Sequence, residues 1–549
     1  MALLLLPALG NHYLYSQNYG LKYSRNYIPD EYELLPQNWD ILENPTGIIY
    51  VANQGGILEY DGVSWKSTEI PGQTVRSLAI DSRGTIYLGG VNEIGHLARD
   101  SQGRLEYKSL MNHLPGDKKN FGMVWRTHVI KDIIFFRTSN YILRWKPQQQ
   151  QLKVILETKQ DQDNPLSASF TCFTCQGMLF VHQLNTGLMR WQSGSFKIIP
   201  GSQTFADCQD IFMLAPYNKP GSKIIIGARD KGFFIYNGKS ITPFPTRVDK
   251  YLKEKIPVHG IALLKSPGDF AIATQSGGLV IIDSRGQLKH LFTQNYGLYD
   301  NDVKYVFEDS LGDLWAALNE GISKIEYLSP LSFFDDHSNL HSMIFTVVRH
   351  SKKLYAGTSQ GLFYMEENSN QFKPVPGIHN VCRSLLSNGD SVIAATSQGV
   401  YQVQNNNPRI IIDNPSYALL RSRQDPNRIW VGMRGGLASL YIDKNNRFNQ
   451  EYSYDKIYRE IKTIIEDTRG HLWLGARGSG VFKVSFPDPG NIYDYHVIRY
   501  SALHRLPAEE VQVCQAAQHV MFATRKGLFC FQEEKNIFVP DYTLGKEFS

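Results

Sequence analysis

Apolar residues along this chain come in short runs, about four to eight residues long, cut by Gly, Asn and Asp. The stretch "VRSLAIDSRGTIYLGGVNEIGHLAR" (75–99) shows the pattern: Val, Leu, Ile and Tyr are crowded into brief segments, with no stripe at helical spacing. Each segment predicts a β-strand. The turn between the first two strands is spelled by Asp81 and Gly84, followed by an aromatic, Tyr87, and a small residue, Gly89. Asp309, Gly312, Trp315 and Ala317 repeat those offsets, as do Asp467, Gly470, Trp473 and Gly475, and "ENPTGIIYVAN" (43–53) carries Asn44 in the Asp place. Asp or Asn opens a tight turn by bonding to backbone two residues on, and Gly supplies the positive φ that follows. The aromatic and the small residue two positions later share one sheet face. These residues therefore read as scaffold, with large side chains of one unit set against small ones of the next.

Weaker copies fill the intervals. Aromatic-equivalent positions fall near residues 50, 87, 135, 181, 225, 271, 315, 355, 393, 430, 473 and 521, twelve copies 37 to 48 residues apart. That period, with strands rather than helices, is the signature of propeller blades. In one unit, 74–81 is the innermost strand, followed by "TIYLGG", "EIGHLAR" and "RLEYKSLM". The predicted fold is all-β: tandem β-propellers of four-stranded blades, the first seven-bladed, the second incomplete with about five blades present. The expected division is 1–12, 13–335 for the first ring and 336–549 for the second, with "YLSPLSFFDDHSNLHS" (327–342) breaking the rhythm between them. Because five blades close poorly, the second ring is expected to be truncated, short of about two blades.

Composition narrows the class further. A net charge of +5 over 549 residues, with no long basic run, gives no reason to expect nucleic acid as a partner. Of six cysteines only Cys172 and Cys175 form a C-x-x-C, in "FTCFTC", without a second pair or a nearby His to complete a zinc site. On a strand the two thiols would face opposite ways. No metal and no cofactor is expected. The opening "MALLLLPALG" resembles the apolar part of a secretory signal and is too short to span a bilayer, so export to the periplasm or cell exterior is expected.

Three stretches, 36–65, 75–97 and "EDSLGDLWAALNEGISKIE" (308–326), resemble two-component regulator propeller repeats, found in extracytoplasmic sensor regions of bacterial hybrid histidine kinases and related regulators. The resemblance extends over nearly the whole chain after the leader. It implies a ligand-sensing module, often for carbohydrate breakdown products. It also implies two seven-bladed rings followed by a β-sandwich, a membrane helix and an output domain, so that the link to a membrane would lie downstream of this chain.

Variable loops on a rigid scaffold are where binding usually resides. On the rim opposite the Asp-x-x-Gly turns, cations recur at the starts of inner strands. Arg76, Lys304 and Lys462 each lie five residues before a motif Asp, and Arg126, Arg383 and Arg421 stand in similar registers. Such a ring would draw an anionic ligand, an acidic sugar for instance, or an acidic partner surface. Trp125 and His128 join it in "FGMVWRTHV", Asn92 and Glu93 in "GGVNEIG", and Asn301 and Asp302 in "YDNDV". Two other classes compete. A propeller glycoside hydrolase or lyase would need a pair of carboxylates at a cleft, and no Asp or Glu pair stands out, nor does any H-E-x-x-H or G-x-S-x-G, so no catalytic residue is assigned. A protein-interaction scaffold, including a homodimer, would use the same rim.

Overall fold

A computed structural model of the protein describes residues 20–70, 74–99, 105–157, 170–217, 223–264, 268–334, 338–367, 369, 371–478, 480–507, 510–516, 519–543 and 545. The expected leader at 1–12 lies outside the described residues. The chain forms two compact units, Met1–Phe334 and Asp335–Ser549. The described residues form twelve four-stranded antiparallel sheets, seven in the first unit and five in the second.

The recurring turn forms because one carboxylate does three jobs. Asp309 accepts the backbone N–H of Leu311 and of Asp313, each at 2.9 Å, and its other oxygen accepts the indole N–H of Trp315 at 2.9 Å. Asp467 repeats this with Arg469, His471 and Trp473. Gly312 takes φ of 88°, which an L side chain adopts only with strain. The small residue two after the aromatic is small because the next blade lies on it. A Cβ on Gly475 would sit 2.5 Å from the Val511 carbonyl oxygen of the following inner strand.

Packing between blades makes the core. The first unit holds seven hydrophobic clusters, one between each neighbouring pair of blades. The seventh of these joins the last blade to the first: Trp315, Ala317 and Ile322 meet Ile41, Val51 and Leu58. The ring is closed by strand pairing out of sequence order. Strand Ser24–Tyr27 supplies the outer edge of the seventh blade, pairing Ser24 with Ile325 and Tyr27 with Ile322. Tyr27 stacks on Trp315 at 5.8 Å and 4° between planes. Sequence periodicity gave no hint of this strand, since its four residues, SRNY, carry no motif.

In the second unit four clusters serve five blades. On its first blade's strand Ile344–His350 the apolar Ile344 and Val347 are 44% and 60% exposed. Cys172 and Cys175 face opposite sides of strand Phe170–Cys175, each within a different inter-blade cluster, and both are free thiols. No helix among the described residues is long and apolar enough to cross a membrane.

Candidate ligand-binding site

Inner strands of the first unit carry an irregularity where they enter the ring. The ladder slips by one residue between Asn38 and Asp40, between Val75 and Ser77, between Val124 and Arg126, and between Val303 and Tyr305. The extra residues are Trp39, Arg76, Trp125 and Lys304. A bulge turns its unpaired residue out of the ordinary in–out alternation, and all four line one cavity of about 460 Å³. Residues just past the second strands complete it, among them Arg229 and Gln275, with Thr171, Asp210 and Val258 from the fourth to sixth blades. The volume lies within the range of small-molecule sites.

Cations and indoles alternate around this mouth. The Arg76 guanidinium carbon lies 3.3 Å from the Trp39 ring centroid and 4.8 Å from that of Trp125. The Lys304 ammonium is 5.4 Å from the Trp39 centroid. Arg137, at the end of strand Ile133–Thr138, is 5.6 Å from Trp125, and its guanidinium donates to the Phe170 carbonyl, with Nε at 3.0 Å.

Charge pairing sorts these groups into two kinds. Arg126 meets Asp40 at 3.4 Å, Arg229 meets Asp210 at 3.0 Å, and Lys304 meets Asp302 at 2.6 Å. Arg76 and Arg137 face no carboxylate in an ion pair among the described residues. Burial, and after it the Arg126 charge, pulls both guanidinium pKa values down to about 10, with Asp210 opposing the drop at Arg137 and no acid opposing it at Arg76. Arg76, held away from water without a counter-charge, is a standing demand for an anion. Burial also pushes the Asp40 carboxyl up to about 6, against the opposing pull of Arg126.

Polar atoms at the mouth are left over as well. Thr171 Oγ1, Trp39 Nε1, Arg229 Nε and Asp302 Oδ1 are buried and make no hydrogen bond. Native interiors leave few such atoms, and each calls for a partner from solvent or ligand. Trp125 keeps 43% of its surface exposed, its indole N–H donating to Ser139 at 3.2 Å, so part of the ring stays accessible at the mouth.

The structure therefore gathers Arg76, Trp125, Arg126, Lys304 and, through its ion pair, Asp302 at one mouth. Other expected residues fall elsewhere. His128 is tucked between the third and fourth blades, 3.1 Å from the Cys172 carbonyl oxygen, and burial drops its pKa to about 4. Asn92, at φ of 52°, clasps Gly122 through two hydrogen bonds, while Glu93 accepts the hydroxyls of Tyr107 and Ser109. Asn301 is tied to Gln294. Arg383 and Lys462 belong to the second unit. Arg421 does not reach that unit's corresponding rim: it ends strand Ser416–Arg421 at the far side and donates to the Ser387 carbonyl at 2.6 Å.

Trp39, Thr171, Arg137 and Arg229 were not expected. Trp39 had a signal, since it stands five residues before Asn44, the register of Arg76 before Asp81. The others are brought in by ring geometry and have no local mark.

No protein-family model matches the chain, and no curated protein matches it in sequence. Solved structures do. The extracellular domain of a hybrid two-component system from B. thetaiotaomicron aligns with 94% of this chain and 78% of its own, at 15% identity and a TM-score of 0.54. The extracellular domain of a one-component system from B. thetaiotaomicron aligns with 96% and 79%, at 16% identity and a TM-score of 0.43. At 15% identity the first likeness is one of fold.

Proposed function

We propose that this chain is the ligand-sensing region of a bacterial signalling protein, acting outside the cytoplasm, and that its first unit binds a small anionic ligand, a sugar acid by chemical class. The observation that carries the reading is Arg76, clamped between two indoles, partly desolvated and without a carboxylate, at the mouth of a cavity. An indole face suits a sugar ring, a guanidinium suits a carboxylate, and the two lie side by side here. The fold shared with an extracellular domain of a two-component system supports the sensing role. Binding is favoured over hydrolysis because Asp40, Asp210 and Asp302 each hold a cation, which leaves no pair of free acids to flank a glycosidic bond.

Thermal melting of the intact chain with galacturonate, glucuronate, galactose and glucose tests this. The acids should raise the melting temperature of the first unit by several degrees, and Arg76→Gln should abolish the rise. Equal shifts with the neutral sugars, or an acid response indifferent to Arg76→Gln, would sink the proposal.

A further inference from the structure

The second unit repeats the bulge. Its inner strands slip by one residue between Ile344 and Thr346, Cys382 and Ser384, Ser416 and Ala418, and Ile461 and Thr463. The extra residues are Phe345, Arg383, Tyr417 and Lys462, so four successive blades present aromatic, cation, aromatic, cation. The first unit presents the same alternation through Lys304, Trp39, Arg76 and Trp125 on four successive blades of its closed ring. In the second unit side-chain identity is not forced by the scaffold at this place, because Phe345, Arg383, Tyr417 and Lys462 belong to none of its inter-blade clusters. Two units sharing the alternation, in different residues, therefore point to shared use.

The contacts match too. The Arg383 guanidinium carbon is 4.9 Å from the Phe345 centroid and 5.9 Å from that of Tyr417, as Arg76 is held between Trp39 and Trp125. The Lys462 ammonium lies 3.5 Å from the Tyr417 centroid on the next step. Past the second strands stand Arg434 and Arg477, each four residues after the aromatic position, the register in which the first unit carries Arg229. Glu460 is engaged by Lys462 at 2.7 Å and Arg477 at 3.3 Å. Arg383 and Arg434 have no ion pair among the described residues, and both bear electrostatically on the Tyr417 hydroxyl. Four cations and one carboxylate thus gather about Tyr417, an excess that favours an anion arriving from solution.

We propose that the second unit holds its own anion site, centred on Arg383 between Phe345 and Tyr417, for the same chemical class of ligand as the first. The inference rests on the reading of the first unit for the ligand's class but not for the site's existence. Arg383 is exposed where Arg76 is half-buried, so the second site binds more weakly and fades sooner with salt.

The two sites differ in a way that an experiment can use: Trp39 and Trp125 line the first, whereas Phe345 and Tyr417 line the second. Digalacturonate titrated into the intact chain at low salt should give two sites by calorimetry, only one of them quenching tryptophan fluorescence. Arg383→Gln should remove one calorimetric site and leave the quenching unchanged. Arg76→Gln should remove the quenching and leave one calorimetric site. A single site, quenching and untouched by Arg383→Gln, overturns the inference and leaves the first reading standing. An Arg383-dependent site without any quenching site does the reverse, and no heat from the intact chain overturns both.

Discussion

The guanidinium carbon of Arg76 sits 3.3 Å from the centre of the Trp39 ring, with Trp125 closing the other face at 4.8 Å. A flat, delocalised cation fills such a slot, and a tetrahedral ammonium on a flexible stem does not. Arg76→Lys should therefore weaken acid-sugar binding about tenfold, nearly as much as Arg76→Gln. Titration of both variants, read by tryptophan fluorescence, checks this. Full affinity in Arg76→Lys would mean that charge alone matters at this place.

Asp309 bonds two backbone N–H groups and the Trp315 indole while only 5% exposed. Asp309→Ala leaves three donors without an acceptor and should destabilise the first unit by about 2–3 kcal/mol. Trp315→Phe removes the indole bond, trims the core and should cost about 1–2 kcal/mol. Urea unfolding followed by near-ultraviolet circular dichroism measures both.

Asp40 gives stability a pH dependence whose sign is fixed. Burial raises its folded pKa to about 6, above that of an exposed Asp, so the folded state holds a proton that the unfolded chain has released. Its contribution is complete below about pH 4 and is lost as pH climbs through 6. Relative to Asp40→Asn, which cannot titrate, the wild type should lose on the order of 3 kcal/mol between pH 4 and 7. Denaturant midpoints across that window test it, and parallel profiles would refute the assignment.

Strand Ser24–Tyr27 holds the first ring shut. Tyr27 is 6% exposed, stacks on Trp315 and donates its hydroxyl to Tyr60 at 3.2 Å. Tyr27→Ala should cost the first unit about 3 kcal/mol and speed its cleavage by a protease at sub-denaturing urea. The second unit has its own inter-blade clusters, and its cleavage rate should not change.

Blade architecture was legible in the sequence because a turn is a local event. Asp, Gly and an aromatic at offsets of 0, 3 and 6 dictate it without help from distant residues. The same motif gave a ruler for the mouth. Counting five back from the Asp finds Arg76, Lys304 and Lys462, each at a bulge. Where the motif lapses, the ruler fails. In the third blade of the second unit Ser422 holds the turn instead of Asp, and Arg421 was placed at the wrong end of its strand, with Tyr417 standing where a cation was expected. Counting cations alone also passed over Trp39. His128 erred through alternation, since a residue three past Trp125 on a strand turns away from it. Closure by Ser24–Tyr27 joins residues about 300 apart in sequence, and no local pattern records such a pairing.

The bulge has a consequence for descent. At an ordinary strand position, changing the side chain disturbs the neighbouring blade, so chemistry and folding are inherited together. At Arg383 the bulge sets the direction, and the exposed side chain lies outside the inter-blade clusters. A lineage with this scaffold can rewrite what it recognises one substitution at a time, each exposed bulge contributing a single letter, with the packing between blades left in place.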